Sequence, residues 1–176
     1  MKITVSGAIG SGKSTVSKLL AKKLKYNYYS IGKIMRELAK EKGISLHKLS
    51  AQAEKNPSID KELDKRQIEI GKKEDNFVMD SRIGFHFIPD SFKIFLDVDI
   101  PTAAKRILNE KRGDEVYKTL DEAILFIKKR AESETVRYKK YYKIDFPNRK
   151  YFDLIINTSS KTANEVSFEI LSILKP

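Results

Sequence analysis

Gly7, Gly12, Lys13 and Ser14 stand at the spacing G-x-x-x-x-G-K-[ST] within the opening run MKITVSGAIGSGKST. That spacing encodes a cradle for phosphate. Glycines let the backbone turn tightly and aim several N–H groups into one concavity, and a helix starting at the end of the turn adds the positive end of its dipole. The run Gly7, Ala8, Ile9, Gly10, Ser11, Gly12, Lys13, Ser14 and Thr15 is therefore the candidate nucleotide-binding P-loop. Lys13 can reach the β/γ-phosphates and the Ser14 hydroxyl can ligate Mg²⁺.

Asp80-Ser81-Arg82 follows directly on the apolar run Phe77-Val78-Met79. Ligands of open parallel sheets sit beyond the carboxyl ends of the strands. A carboxylate there, at Asp80, faces the P-loop and can hold the water shell of Mg²⁺, and Arg82 reaches the same cleft. Asp97 and Asp99, after the next strand, are rivals for the metal, and an ordinary strand-to-loop turn is the plainer account of Asp80. The remaining cations are Arg36, Arg106, Arg130 and Arg137. Arg130, Glu134 and Arg137 fall at i, i+4 and i+7 and share one helix face. A solvent-exposed Glu–Arg pair would explain them, but phosphoryl transfer needs several cations converging on one group, and arginine's planar fork suits that task.

These groups need a scaffold that brings distant segments to one edge. Strands are expected at Ile3–Ser6, Asn27–Ser30, Phe77–Asp80, Lys93–Val98 and Asp153–Asn157, mostly continuous apolar runs as in strands covered on both faces. Helical spacing fills the gaps: after the P-loop (Val16, Leu19, Leu20, Leu24), over 31–43 ending at Gly43, over 45–55 and 58–73 either side of Pro57, from Pro101 to about Arg112, from Leu120 to about Tyr142, and around Val166–Leu174. The alternation implies a single α/β domain: a three-layer sandwich of a five-stranded parallel sheet with helices on both faces. Two stretches read as additions to the core 1–30, 74–109 and 120–176: a helical insertion at 31–73 and a polar, lid-like loop at about 110–119.

Composition agrees with a small enzyme. The 176 residues suffice for one core, no apolar run is long enough to span a bilayer, and no signal-peptide core is present, so a cytoplasmic location is expected. The lack of cysteine excludes disulfides and thiolate metal sites. A net charge of +11 favours polyanionic partners, although the lysines are scattered along helices as on an ordinary solvated surface. His47 and His86 have no partners at metal-ligand spacing and read as incidental, and the tyrosines Tyr26, Tyr28, Tyr29, Tyr138, Tyr141 and Tyr142 read as packing residues rather than base-stacking ones.

The segments SIGKIMRELAKEKGISL, SIDKELDKRQ, FVMDSRIG, KKRAESETVRYKKYY and DLIINTS, in that order over nearly the whole chain, resemble the cytidylate kinases, in particular the archaeal-type branch of the nucleoside monophosphate kinases. The resemblance implies ATP and Mg²⁺ as donor and cofactor, CMP or dCMP as acceptor, 31–73 as the monophosphate-binding insertion, and the P-loop fold. By motif it places acceptor phosphate on Arg36 and Arg82, the acceptor nucleotide on Arg130, Glu134 and Arg137, a catalytic cation before the lid at Arg106, and the adenine loop at Asn157-Thr158-Ser159. Catalysis would then rest on Lys13, Arg106, Arg130 and Arg137, with Ser14 and Asp80 at the metal. The chain departs from the family in having Ser81 where a glycine is usual and Gly84-Phe85-His86 in place of a shorter segment of small residues. The base therefore stays open among CMP, dCMP, UMP and AMP, with Asp60, Asp64, Arg66 and Gln67 either contacting it or forming a solvated helix face. A monomer acting on small nucleotides, with neither membrane nor nucleic acid as partner, is expected. Two other readings stay in view: a related P-loop kinase with a different small acceptor, and a nucleotide-dependent RNA-binding module using the basic surface.

Overall fold

The computed structural model describes residues 1–45, 48–49, 52–53, 56–109 and 117–174. Five parallel strands lie in the order β2-β3-β1-β4-β5: β1 (Lys2–Gly7), β2 (Asn27–Ser30), β3 (Phe77–Asp80), β4 (Phe92–Asp97) and β5 (Leu154–Asn157). β1 is central, pairing Ile3 with Val78 on one side and Gly7 with Leu96 on the other. The chain first builds the β2 side and then crosses to the β4 side, so the strand order reverses at β1. The crevice above such a reversal is where ligands of doubly wound sheets bind.

Strand alternation splits the core between two faces. Ile3, Val5, Val78, Ile94, Leu96 and Ile156 pack on α1 (Lys13–Leu24) through Val16 and Leu20, and on α7 (Ala163–Leu174) through Val166 and Ile170. On the other face Phe95 meets Tyr138 of α6 (Leu120–Tyr142), Phe85 of the short α4 (Gly84–Phe87), and Phe146. Thr4 and Ser6 are fully buried on that second face, their hydroxyls paired with Ser91 Oγ (2.8 Å) and the Ser81 carbonyl (3.2 Å). A buried hydroxyl without such a partner would cost about 1–3 kcal/mol.

Each helix that carries a site residue has a local reason to start where it does. α2 (Ile31–Glu41) is capped by the Ser30 hydroxyl, which accepts from the Lys33 N–H (3.3 Å). α3 (Pro57–Lys73) is capped by Asn56, with proline at its first turn where the missing N–H does no harm. α6 begins at Thr119, whose hydroxyl accepts from Glu122 N–H while Glu122 accepts from Lys118 N–H. α5 (Ile100–Asn109) is capped by Asp99, which accepts from the Thr102 N–H at 2.8 Å. The strands expected from sequence are present to within one residue at each end. The short α4 and the 3₁₀ turn Arg149–Tyr151 carry no sequence signal and were not expected. The lid expected at 110–119 lies outside the described residues from 110 to 116, as do His47 and most of the expected helix over 45–55.

Candidate active site

β1 ends at Gly7, and the chain turns through Ala8–Gly12 into α1. Gly10 and Gly12 both have φ of +77°, a conformation that L side chains rarely adopt. A Cβ on Gly10 would also sit 2.8 Å from Ala103 of α5, so the turn is pressed against that helix. Gly12 caps α1 without a side chain, and the first turn contains no acidic residue. The N–H groups at this helix end are thus left to an outside anion. Ser11 Oγ, buried in the same turn, has no hydrogen-bond partner. These features fit a polyphosphate.

Asp80, 2% exposed at the end of β3, forms an ion pair with Lys13 and accepts from Tyr28 Oη (3.1 Å) and Ser30 Oγ (3.3 Å). It is the carboxylate at the P-loop. Its sequence rivals are engaged elsewhere: Asp97 pairs with Arg149 (3.1 Å) and Asp99 caps α5. Tyr28 and Ser30, read from sequence only as strand residues, hold the Asp80 carboxylate. No spacing rule could have shown this, because the contact runs between neighbouring strands paired in register at Ser30 and Asp80.

A cleft of ≈ 520 Å³ runs from the P-loop to the helices beyond it, lined by Lys13, Ser14, Asp80, Arg36, Arg82, Arg106, Arg130, Glu134 and Arg137. At its far end Glu134, almost fully buried, is clamped by Arg82 Nε (3.2 Å) and Arg130 Nε (3.1 Å), and Arg82 also donates to the Gly7 carbonyl. Burial opposes the Glu134 charge, but Arg82, Arg130 and Arg137 outweigh it and hold the carboxyl below its ordinary value. Both Glu134 oxygens are thereby committed to arginines. Arg137 has a different partner: its Nε lies 3.8 Å from Asp60 Oδ2, and neither atom has a hydrogen-bond partner. Arg36, exposed on α2, lines the cleft from the opposite wall.

Two sequence expectations are seated differently. Arg106 does not share the Glu134 cluster. Its guanidinium donates to the Gly10 carbonyl (3.3 Å), to Thr158 Oγ1 (3.1 Å) and carbonyl (2.6 Å), and to the Lys161 carbonyl (3.4 Å). It ties the P-loop to the turn after β5. Asn157 does not line the cleft; its exposed side chain accepts from Ser159 N–H (2.8 Å) within its own turn. Thr158 is the residue of that run that meets the P-loop, with its hydroxyl 3.1 Å from the Ser11 carbonyl.

Asp60, Asp64 and Gln67 of α3 turn into the cleft, whereas Arg66 points to solvent and pairs with Glu62 (3.0 Å). A spacing of four and then three residues puts the first three on one face and leaves Arg66 off it. Tyr142, expected only to pack, donates to Asp64 Oδ2 at 2.6 Å and lines the cleft. Burial pushes the Asp64 carboxyl up to about 6, the Tyr142 hydrogen bond pulling against it and Asp60 adding to it.

The cytidylate kinase-like family matches residues 2–160. The chain belongs to that family. Membership places it among the nucleoside monophosphate kinases, which are phosphotransferases. Cytidylate kinases from Methanosarcina barkeri and Sulfolobus acidocaldarius are 38% and 40% identical to it, each aligned over 99% of this chain and 94% of their own length. It is also 39% identical to part of an S-adenosylmethionine-dependent nucleotide dehydratase from Lacinutrix mariniflava, spanning 94% of this chain but 34% of that longer protein. Among solved structures, the shikimate kinase from Bacteroides thetaiotaomicron superposes with a TM-score of 0.71 over 100% of this chain and 99% of its own, at 16% identity. That likeness shows the α/β P-loop fold shared with the cytidylate kinase-like chain.

Proposed function

We propose that this chain transfers the γ-phosphoryl group of ATP to CMP and dCMP, giving ADP and CDP or dCDP. The observation that carries the reading is one continuous cleft with a phosphate cradle at one end and Arg36, Arg82, Arg130 and Arg137 at the other. The curated relatives that align end to end with the chain carry the name cytidylate kinase, which favours cytidylate as acceptor.

In this reading the N–H groups from Gly10 to Ser14 and the Lys13 ammonium hold the donor phosphates, and Ser14 with Asp80 would hold Mg²⁺. Mg²⁺ supplies charge neutralisation on the phosphate oxygens. Arg36 and Arg82 hold the acceptor phosphate. Arg130 and Arg137 stabilise the charge spread over the transferred group, and Glu134 keeps the Arg82 and Arg130 guanidiniums aimed. An acceptor phosphate oxygen forms the new P–O bond as the bond to the ADP leaving group breaks. Arg106 acts one step back, fixing the P-loop against the β5 turn. Residues 31–73 serve as the monophosphate-binding insertion and about 110–119 as the lid. The enzyme works as a cytoplasmic monomer on small nucleotides. Among the described residues no helix is long and apolar enough to cross a membrane.

An acceptor panel tests this. ADP formation from Mg·ATP is measured with each ribo- and deoxyribonucleoside monophosphate and with a blank. CMP and dCMP are expected to give the highest kcat/KM. Faster turnover of AMP would overturn the base assignment, and no acceptor-dependent turnover would overturn the reaction.

A further inference from the structure

The reading above leaves unassigned the face of α3 that turns into the cleft. Asp60, Asp64 and Gln67 succeed one another along it, each gripped from outside α3: Asp60 by Arg137 (3.8 Å), Asp64 by Tyr142 (2.6 Å) and Gln67 by Ser81 (2.6 Å). A solvated helix face has no such backing. Gln67 is 2% exposed and Asp60 9%, and Asp60 Oδ2 is buried without a hydrogen-bond partner. Buried polar atoms without partners are rare in folded proteins, and each calls for an explanation. Ile31, Met35 and Leu63 also line the cleft and offer apolar contact to the faces of a flat ring.

The polarity of the wall is specific. Tyr142 occupies Asp64 Oδ2, which leaves Oδ1 as an acceptor. The Ser81 hydroxyl occupies the Gln67 amide oxygen, which leaves the amide NH₂ as a donor. Acceptor beside donor is the complement of the cytosine edge, whose exocyclic N4 amino group donates and whose N3 and O2 accept. Uracil presents an acceptor at position 4 and would meet the carboxylate lone pair against lone pair. We propose that this face of α3 reads the acceptor base, with Asp64 accepting from the cytosine amino group and Gln67 donating to the ring edge, fixed in those roles by Tyr142 and Ser81. The inference rests on the proposed phosphorylation of a cytidine monophosphate. It also gives Ser81 the task of orienting the Gln67 amide.

The test is steady-state kinetics of the full chain with CMP and UMP at saturating Mg·ATP, for the wild type, Asp64→Asn and Tyr142→Phe. Asparagine keeps the shape and the acceptor for Tyr142 but can turn an NH₂ donor toward the base. The ratio of kcat/KM for CMP to that for UMP is expected to fall about 10- to 100-fold in Asp64→Asn, with the loss for CMP appearing in KM rather than kcat. Tyr142→Phe frees the carboxylate to rotate and should move the ratio the same way by a smaller factor; it decides the matter should Asp64→Asn not fold. A wild type that prefers CMP, with a ratio unmoved in both variants, overturns the base-reading wall and leaves the proposed reaction standing. A wild type that phosphorylates no pyrimidine monophosphate overturns the proposed function and the wall with it.

Discussion

At the proposed donor end of the cleft the polar groups are mostly backbone, brought together by a turn of five residues between β1 and α1. At the acceptor end they are side chains: Arg36 from α2, Asp60, Asp64 and Gln67 from α3, Arg82 from beyond β3, and Arg130, Glu134 and Arg137 from α6. The difference is one of how position is enforced. The P-loop is fixed by two glycines at φ +77° and by the press of α5 against Gly10. The acceptor end is fixed by charge, with Glu134 between Arg82 and Arg130 and with Asp60 facing Arg137. A backbone cradle tolerates loss of a side chain in its geometry but not in its chemistry. In a charge network one deletion disturbs both, since each removed ion leaves another buried and unpaired.

The one pair at the donor end that behaves like the acceptor end is Lys13–Asp80, and breaking it gives the largest expected effect. Lys13→Ala should lower kcat by about 10²- to 10³-fold through loss of a cation at the transferring phosphate. It should also destabilise the fold by about 3 kcal/mol, because Asp80 is 2% exposed and keeps only Tyr28 and Ser30 as donors. Lys13→Ala combined with Asp80→Asn should regain most of the melting temperature and none of the activity. Near-native turnover in the single variant would remove Lys13 from the chemistry, and an unchanged melting temperature would remove the pair from the fold.

Arg137→Ala comes next. kcat/KM for the acceptor should fall by about 10²-fold while KM for ATP stays put, since Arg137 belongs to the far end of the cleft. Arg137→Lys should be impaired as well, because a point charge does not reproduce the guanidinium fork. A merely structural partner of the buried Asp60 would matter for stability and not for turnover. Kinetics with CMP varied at saturating Mg·ATP separate the two, and unchanged values in both variants would reduce Arg137 to a partner of Asp60.

Legibility in the sequence followed the same divide. The donor site lies in one run of nine residues from Gly7 to Thr15, so its spacing is its geometry. Arg130, Glu134 and Arg137 were legible as a set because one helix face carries them. That Glu134 would turn to Arg82 and leave Arg137 to Asp60 was not, because both contacts depend on how α6 crosses β3 and α3. Tyr142 packs as read, its ring against His86, Phe87 and Tyr138, but its hydrogen bond to Asp64 was not legible, for a related reason. Helical and strand periodicity say which face a side chain occupies but not which polar group waits opposite it. The strands were the easiest to read because continuous apolar runs leave a parallel strand few alternatives.

Glu134 gives the third test, smaller because a neutral amide still fills the space. Its carboxyl is held below the ordinary value, so its stabilisation is complete above that ordinary pKa and is lost as pH falls through the lowered one. Glu134→Gln should therefore lower the unfolding free energy at neutral pH by an amount on the order of 2 kcal/mol, seen as a lower melting temperature, and converge with the wild type in acid. A variant equally stable at pH 7 would mean that Arg82 and Arg130 do not depend on the carboxylate.

Asp64 gives the smallest effect and the opposite sign. Burial raises its carboxyl from an ordinary 3.8 to about 6, against the pull of the Tyr142 hydroxyl and of Arg137 and with the push of Asp60. The folded chain therefore holds the Asp64 proton more tightly than the unfolded chain does. The associated stability is fully present below the ordinary carboxylate range and is lost as pH rises through about 6. Asp64→Asn has no charge to bury and still accepts the Tyr142 hydrogen bond. Its melting temperature should match the wild type in acid, draw ahead as pH climbs through about 6, and stay ahead at pH 8. The gap is small because Asp64 is half-buried and solvent screens its charge. Tyr142, Asp60 and Arg137 are common to both proteins, so a difference that opens only across that window belongs to Asp64. A variant less stable than the wild type at pH 8, or a gap that ignores pH, would show that the wall of α3 is held by the Asp64 charge rather than strained by it. The acceptor end would then be a charge network throughout, with no polar group kept at a cost to the fold.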